Sequence, residues 1–399
     1  MIKKTICLNM IVKNESKIIE KTLKNLSAYI NFDYWVICDT GSTDNTKEII
    51  KNFFKRLDIS GELIEHEWKN FGHNRTLALN SAYNKTDFLF LFDADDKIVG
   101  DFKLPEFILD KYLYKFGTND YSYLRPNLIN NRKRWKFIGV LHEFLNNIDS
   151  INGEQIITGD YHIEIGTFGA RSNCTNKYLK DALLLEKAYI KETDIILKNR
   201  YAFYCAQSYK DCNFTDKAIE WYLKILDLQN WCQEKYYACI QLGNFYLSEN
   251  KIDKAIEILS RSVEYDNERI ECIMMLMKCF YTKNNHLLIN SLYNKYKNYE
   301  KYNYTEKLFL NFKCWIEFEY YNSISAFYVK DLIGGFNSCK KLLYNYKTID
   351  KQYIEITLNN MIFYKDQFKC DNNREKLNNI LIELKNSYKH PNIDTILNA

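Results

Sequence analysis

Phe88-Leu89-Phe90-Leu91-Phe92-Asp93-Ala94-Asp95-Asp96 is five consecutive apolar residues that stop abruptly on three carboxylates. A short apolar run of this kind reads as a strand buried on both faces, the signature of a parallel sheet covered by helices. Three acids within four residues repel one another unless a cation or a cationic substrate neutralises them. Oxygen-rich sites of this type suit Mg²⁺ or Mn²⁺, which bind through one or two carboxylates together with substrate phosphates. Alone, Asp-x-Asp is equally compatible with an acidic loop that caps the next helix, so its position in the chain has to decide.

Working towards the N-terminus, Ile6–Val12 and Tyr34–Asp39 read as further buried strands and Leu63–Trp68 as another. Helical patterns lie between them: one capped by Asn14 and running to about Leu26, one opening at Asp44, one over His73 to Tyr83. Such alternation predicts a mainly parallel, doubly wound sheet, with ligands outside the carboxyl ends of its strands. Asp39 and Asp93–Asp96 both fall at such ends. In Cys38-Asp39-Thr40-Gly41-Ser42-Thr43-Asp44-Asn45-Thr46 the strand ends in Asp39 and Gly41 permits a tight turn. Thr43 or Asp44 then starts a helix whose amide end favours anions.

Towards the C-terminus the texture changes. Ten of the 13 glycines precede residue 170, and no proline occurs between Pro126 and Pro391. Long uninterrupted helices are expected from about residue 172. Ala206, Tyr209, Ala218 and Tyr222 share their relative spacing with Gly243, Tyr246, Ala255 and Leu259, and again with Met277, Phe280, Ile289 and Tyr293. The steps are 37 and 34 residues, the second being the tetratricopeptide period. Ala326, Val329, Ser338 and Leu342 resemble a degraded further copy. The expected organisation is an α/β domain over 1–172, a connecting helix over 173–198, helical repeats over 199–350 and C-terminal helices over 351–399.

Bulk composition excludes several classes. A net charge of +4 over 399 residues, with one dense basic run at Arg132-Lys133-Arg134-Trp135-Lys136, argues against nucleic acid as a partner. The 12 cysteines form no Cys-x-x-Cys pair. Cys205 with Cys212, Cys232 with Cys239 and Cys272 with Cys279 are each seven apart, so they share helix faces as buried thiols in a reducing compartment. No apolar run reaches 18 residues, so no transmembrane segment is expected, and a cytoplasmic location follows.

Leu8-Asn9-Met10-Ile11-Val12-Lys13-Asn14-Glu15, the Asp39–Asp44 turn and Asp93-Ala94-Asp95 together resemble the family 2 inverting glycosyltransferases, in the family's order and spacing. Gly166, Arg171-Ser172, Lys177–Asp181 and Arg200–Tyr209 resemble the junction of the branch fused to tetratricopeptide repeats. The resemblance covers roughly residues 5 to 260. It implies a GT-A-type, Rossmann-like catalytic domain followed by an all-α tetratricopeptide-like domain. The activity implied is metal-dependent, inverting transfer of a hexose from a nucleotide sugar, with UDP commonest, to a hydroxyl of a glycan or polypeptide. The repeats would hold that acceptor, taking the place of the acceptor-side portion that larger relatives carry.

Roles carry over position by position. Asp39 would accept from the nucleotide base, beside Thr40 and Gly41, with Val12, Asn14, Glu15 and Ala94 also at the nucleotide sugar. Arg75 would contact the nucleotide or its phosphates. Asp93 would meet the ribose or the metal, Asp95 the metal (Mn²⁺ or Mg²⁺), and His162 would complete its ligands. Inversion requires a base opposite the leaving group. Phe137–Glu143 resembles the branch's His-Glu segment, so Glu143 would be that base, with Asp96 as its competitor and His142 orienting the substrate. Two other classes stay open: a nucleotidyltransferase of similar fold, although Met10–Glu15 lacks the Gly-rich basic loop such enzymes carry, and a repeat scaffold with an inactive domain.

Overall fold

β1 (Ile6–Val12), β2 (Tyr34–Asp39), β3 (Gly61–Glu65) and β4 (Phe88–Leu91) are parallel and lie in the order β3-β2-β1-β4. They belong to a computed structural model that describes residues 3–117, 122–166, 169, 176–301, 307–311 and 313–398. Between them run α1 (Ile19–Tyr29), α2 (Thr46–Arg56) and α3 (Phe71–Ala82). The unbroken apolar strands follow from this sandwich. Leu8, Met10 and Phe90 pack with Leu23, Leu26, Ile50 and Phe54 of α1 and α2. Their alternate neighbours Cys7, Leu89 and Leu91 pack with Ala78, Leu79 and Ala82 of α3. After β3 the chain returns to the other side of β1, which makes the β1/β4 boundary the switch point where α/β sheets bind ligands.

The remaining strands depart from the expected mainly parallel sheet. β5 (Lys97–Gly100), β6 (Lys111–Gly117), β7 (Ser122–Asn130), β8 (Trp135–Ile138), β9 (Phe144–Asn147), β10 (Glu154–Ile156) and β11 (Tyr161–Glu164) complete the domain. β7 is antiparallel to both β4 and β6, β11 is antiparallel to β5, and β8 with β9 forms a separate hairpin. The sheet is therefore mixed. Asn14 is not a cap: α1 starts at Ile19, and Asn14 takes a left-handed φ of 57° with its side chain turned to Thr43.

Beyond the sheet the structure is helical. Two compact units are formed, Met1–Gln229 and Asn230–Ala399. The first ends with α4 (Lys177–Lys191), α5 (Ile195–Asp211) and α6 (Thr215–Asp227). The second holds α7 (Cys232–Ser248), α8 (Ile252–Tyr265), α9 (Glu271–Thr282), α10 (His286–Tyr296), α11 (Cys314–Tyr328) and α12 (Leu332–Tyr344), then α13 (Lys351–Met361), α14 (Lys365–Lys369), α15 (Arg374–Tyr388) and α16 (Asn392–Leu397). In each of four helix pairs the turn contains one left-handed residue, Asn213, Asn250, Asn284 or Lys330. The repeated small positions are buried at the pair interfaces, and a Cβ on Gly243 would press on Leu259 and Met275. Of the paired cysteines, Cys205, Cys239, Cys272 and Cys279 are buried, but Cys232 is exposed and Cys212 partly so. No helix among the described residues is long and apolar enough to cross a membrane.

Candidate active site

Three strand ends and one hairpin loop build the site. At the end of β2, Asp39 is fully buried. Its Oδ1 accepts from the Gly41 and Ser42 amides at 2.9 and 2.8 Å, an arrangement that needs the positive φ of Gly41. Its Oδ2 is buried with no hydrogen-bond partner among the described residues. Thr40 ties the turn to β1 through Val12 O, bonded by both its amide (2.9 Å) and its hydroxyl (3.1 Å). Asn14 Oδ1 accepts from the Thr43 amide at 2.7 Å, and the Glu15 amide donates to Thr46 Oγ1 at 2.8 Å. Asp44 is partly buried, yet bonds from Ser16 and Thr46 hold its carboxyl down to about 2. The first two motifs thus form one interlocked turn at the sheet's ligand edge.

At the end of β4, Asp93 takes a guanidinium on each oxygen: Arg75 Nη2 donates to Oδ1 at 2.6 Å and Arg125 Nη2 to Oδ2 at 3.2 Å. Burial opposes ionisation there, but the two positive charges outweigh it and keep the carboxyl below its usual range. Asp95 and Asp96 shift the other way. Burial, then the charge on Asp93, raises Asp95. Asp96, 3% exposed, is pushed up to about 7 by burial and by Asp93, with Arg125 opposing. Asp96 Oδ1 accepts from the Gly166 amide at 3.3 Å, while Oδ2 has no hydrogen-bond partner among the described residues and lies 3.9 Å from Arg125 Nη1. Ala94 is buried, and its carbonyl accepts from Thr22 Oγ1 at 2.6 Å.

Arg75 joins this acidic end to the hairpin loop. Its Nε donates to Glu143 Oε1 at 2.6 Å, and its guanidinium lies over the Phe137 ring. Glu143 does not pair with Arg134, which instead grips Asp149 with Nε and Nη2. The neighbouring His142 stacks on Tyr204, ring centroids 3.9 Å apart. Three carboxylates (Asp93, Asp96 and Glu143) therefore share two guanidinium groups, with Asp95 close enough to Asp93 to feel its charge, an excess of negative charge if all are ionised.

Most candidates converge here. His162 lies further off, paired with Val99 in the β5–β11 ladder; the part of that segment that reaches the acidic turn is Gly166, where a Cβ would collide with Asp95. Arg171 and Ser172 lie outside the described residues. Among the described residues, no three His, Cys, Asp or Glu side chains cluster so as to hold a metal ion. Arg125 escaped the sequence reading. It is one polar residue in a strand, 32 positions from its partner, with no motif around it.

A parallel β3-β2-β1-β4 core with an acidic cluster at its switch point defines an α/β domain of the doubly wound class, here completed by an antiparallel half. Residues 7–175 match the family model Glycosyl transferase family 2, and this domain makes the protein a glycosyltransferase. No curated protein matches the sequence. Similar solved structures include Staphylococcus aureus TarS 1–349 in complex with UDP-GlcNAc, 14% identical, covering 74% of this chain and 90% of that one, with a TM-score of 0.33. Another is the mannosyltransferase PcManGT from Pyrobaculum calidifontis in complex with GDP-Man and Mn²⁺, 13% identical, covering 74% and 85%, with a TM-score of 0.37.

Proposed function

We propose that the protein transfers a hexose from a nucleotide sugar, a UDP-sugar first, to a hydroxyl of a glycan or polypeptide, with inversion at the anomeric carbon. The observation that carries this is Arg75, which joins Glu143 to Asp93, the strand-end carboxylate, at 2.6 Å on each side. In this reading Asp39 Oδ2 accepts from a base N–H, which would satisfy a buried oxygen that otherwise has no partner. The acceptor hydroxyl gives its proton to Glu143 as its oxygen bonds to the anomeric carbon. The bond from that carbon to the diphosphate breaks, and its electron pair leaves with the nucleoside diphosphate. Arg75 fixes one Glu143 oxygen and leaves proton acceptance to the other.

Asp95 and Asp93 would hold a divalent cation, Mn²⁺ or Mg²⁺. The excess of carboxylates over guanidinium groups fits one, and its remaining ligands would come from phosphate and water. Bound there, it would neutralise the charge that develops on the leaving diphosphate. Asp96 is the second reading for the base, favoured by a carboxyl near 7 that can take up and release a proton at neutral pH. The helix pairs from α5 onward are read as tetratricopeptide-like and as the acceptor's support. The experiment is Glu143→Gln: donor affinity retained, turnover down about 10²–10⁴-fold. Loss of the same size in Asp96→Asn, with Glu143→Gln near wild type, transfers the role to Asp96.

A further inference from the structure

The loop joining β8 to β9 contains two left-handed residues, Gly139 at φ 115° and His142 at φ 52°, immediately before Glu143. A left-handed non-glycine residue persists only where its surroundings hold it. On one side α3 does so: the Phe71 amide donates to Val140 O at 3.3 Å. On the other side the restraint comes from α5. The Val140 amide donates to the hydroxyl of Tyr201 at 3.1 Å, and Arg200 Nε donates to His142 O at 2.8 Å. One turn further along α5, Tyr204 stacks on the His142 ring at an interplanar angle of 7°. Tyr201 is 2% exposed, and the Arg200 guanidinium lies over Phe144 and Tyr204, so both tethers are themselves fixed.

The family match ends at residue 175, and α5 starts at Ile195. We propose that α5, although outside the matched domain, is part of the active site. Tyr201 and Arg200 are positioning residues that hold the 140–142 backbone so that Glu143 meets Arg75. This rests on the reading of Glu143 as the base. Both tethers end on loop backbone rather than on the base itself, so their loss misplaces Glu143 without touching the nucleotide-sugar contacts.

The test uses the full chain with Tyr201→Phe, Arg200→Ala and Arg200→Lys, each alone and combined with Glu143→Gln. Tyr201→Phe and Arg200→Ala should lower kcat about 10–100-fold, the scale of an ångström-sized misplacement. KM for the nucleotide sugar should stay within about two-fold. Arg200→Lys, which keeps a donor, should recover part of the loss. Added to Glu143→Gln, the same substitutions should cost little more, because they act through the group already removed. Should Arg200→Ala fail to fold, Tyr201→Phe, which keeps the ring, decides. Unchanged kcat in both variants, alongside a defective Glu143→Gln, overturns the clamp alone. Full additive losses on the Glu143→Gln background also overturn it. Undiminished turnover in Glu143→Gln removes the base assignment, and the clamp with it.

Discussion

Within the candidate site, Asp39 and Asp96 each keep a buried oxygen without a hydrogen-bond partner among the described residues, and they call for different tests. Asp39→Asn leaves the Oδ1 acceptor for Gly41 and Ser42 but puts a donor where a base N–H would arrive. Nucleotide affinity measured by calorimetry should fall about 5–150-fold, the worth of a buried hydrogen bond of about 1–3 kcal/mol. Unchanged affinity would place the base elsewhere. For Asp96 the sign follows from a folded pKa of about 7 above the ordinary 3.8. Between those values the folded state binds the proton more tightly than the unfolded state, so stability falls as pH rises from about 4 to about 7. In EDTA, Asp96→Asn should therefore melt like wild type near pH 4 and above it near pH 8; equal Tm differences at both pH values would contradict the shift. The positions of Asp39 and Asp93 are legible in sequence because each ends an apolar run. Arg125 is not, because its ion pairs with Asp93 and Asp96 are a product of strand pairing alone. The pairing of Glu143 with Arg75 spans 68 residues and is equally silent.

The parallel strands were readable as unbroken apolar runs and the helices as recurring apolar positions: β1 and β2 have the expected limits, Ile6–Val12 and Tyr34–Asp39, whereas β3 is Gly61–Glu65 and not Leu63–Trp68. The antiparallel half was not. β8, β9 and β10 are four, four and three residues long and half-exposed, too short for a period to show. β6 does alternate, with Tyr112, Tyr114 and Phe116 buried, and that signal was available. Packing between elements also carries a prediction. Gly72, in the first turn of α3, lies so close to the hairpin that a Cβ would collide with the Gly139 carbonyl oxygen. Because that neighbour is backbone, Gly72→Ala must push the loop away from α3. We expect about 1–3 kcal/mol of destabilisation in thermal melts, together with a loss of turnover greater than the loss of donor affinity. Wild-type melting and turnover would show that the loop yields freely.

In the whole molecule, the sheet domain and the helical region are less separate than composition suggests. The change near residue 172 marks where strands end and glycine becomes rare, but the first compact unit runs on to Gln229 and includes α4, α5 and α6. Local sequence records where strands give way to helices; it does not record that Arg200 and Tyr201 reach back about sixty residues to the hairpin loop. The proposed chemistry is cleavage of a nucleotide sugar at the ends of β2 and β4 with the help of a divalent cation. The most direct measurement is release of nucleoside diphosphate by the full chain from a panel of UDP- and GDP-sugars, with Mn²⁺ and then with EDTA. Release is expected from at least one UDP-sugar with Mn²⁺, abolished by EDTA and by Asp95→Ala in a protein that still folds. Release from none of the donors, or release undiminished in EDTA, would contradict it.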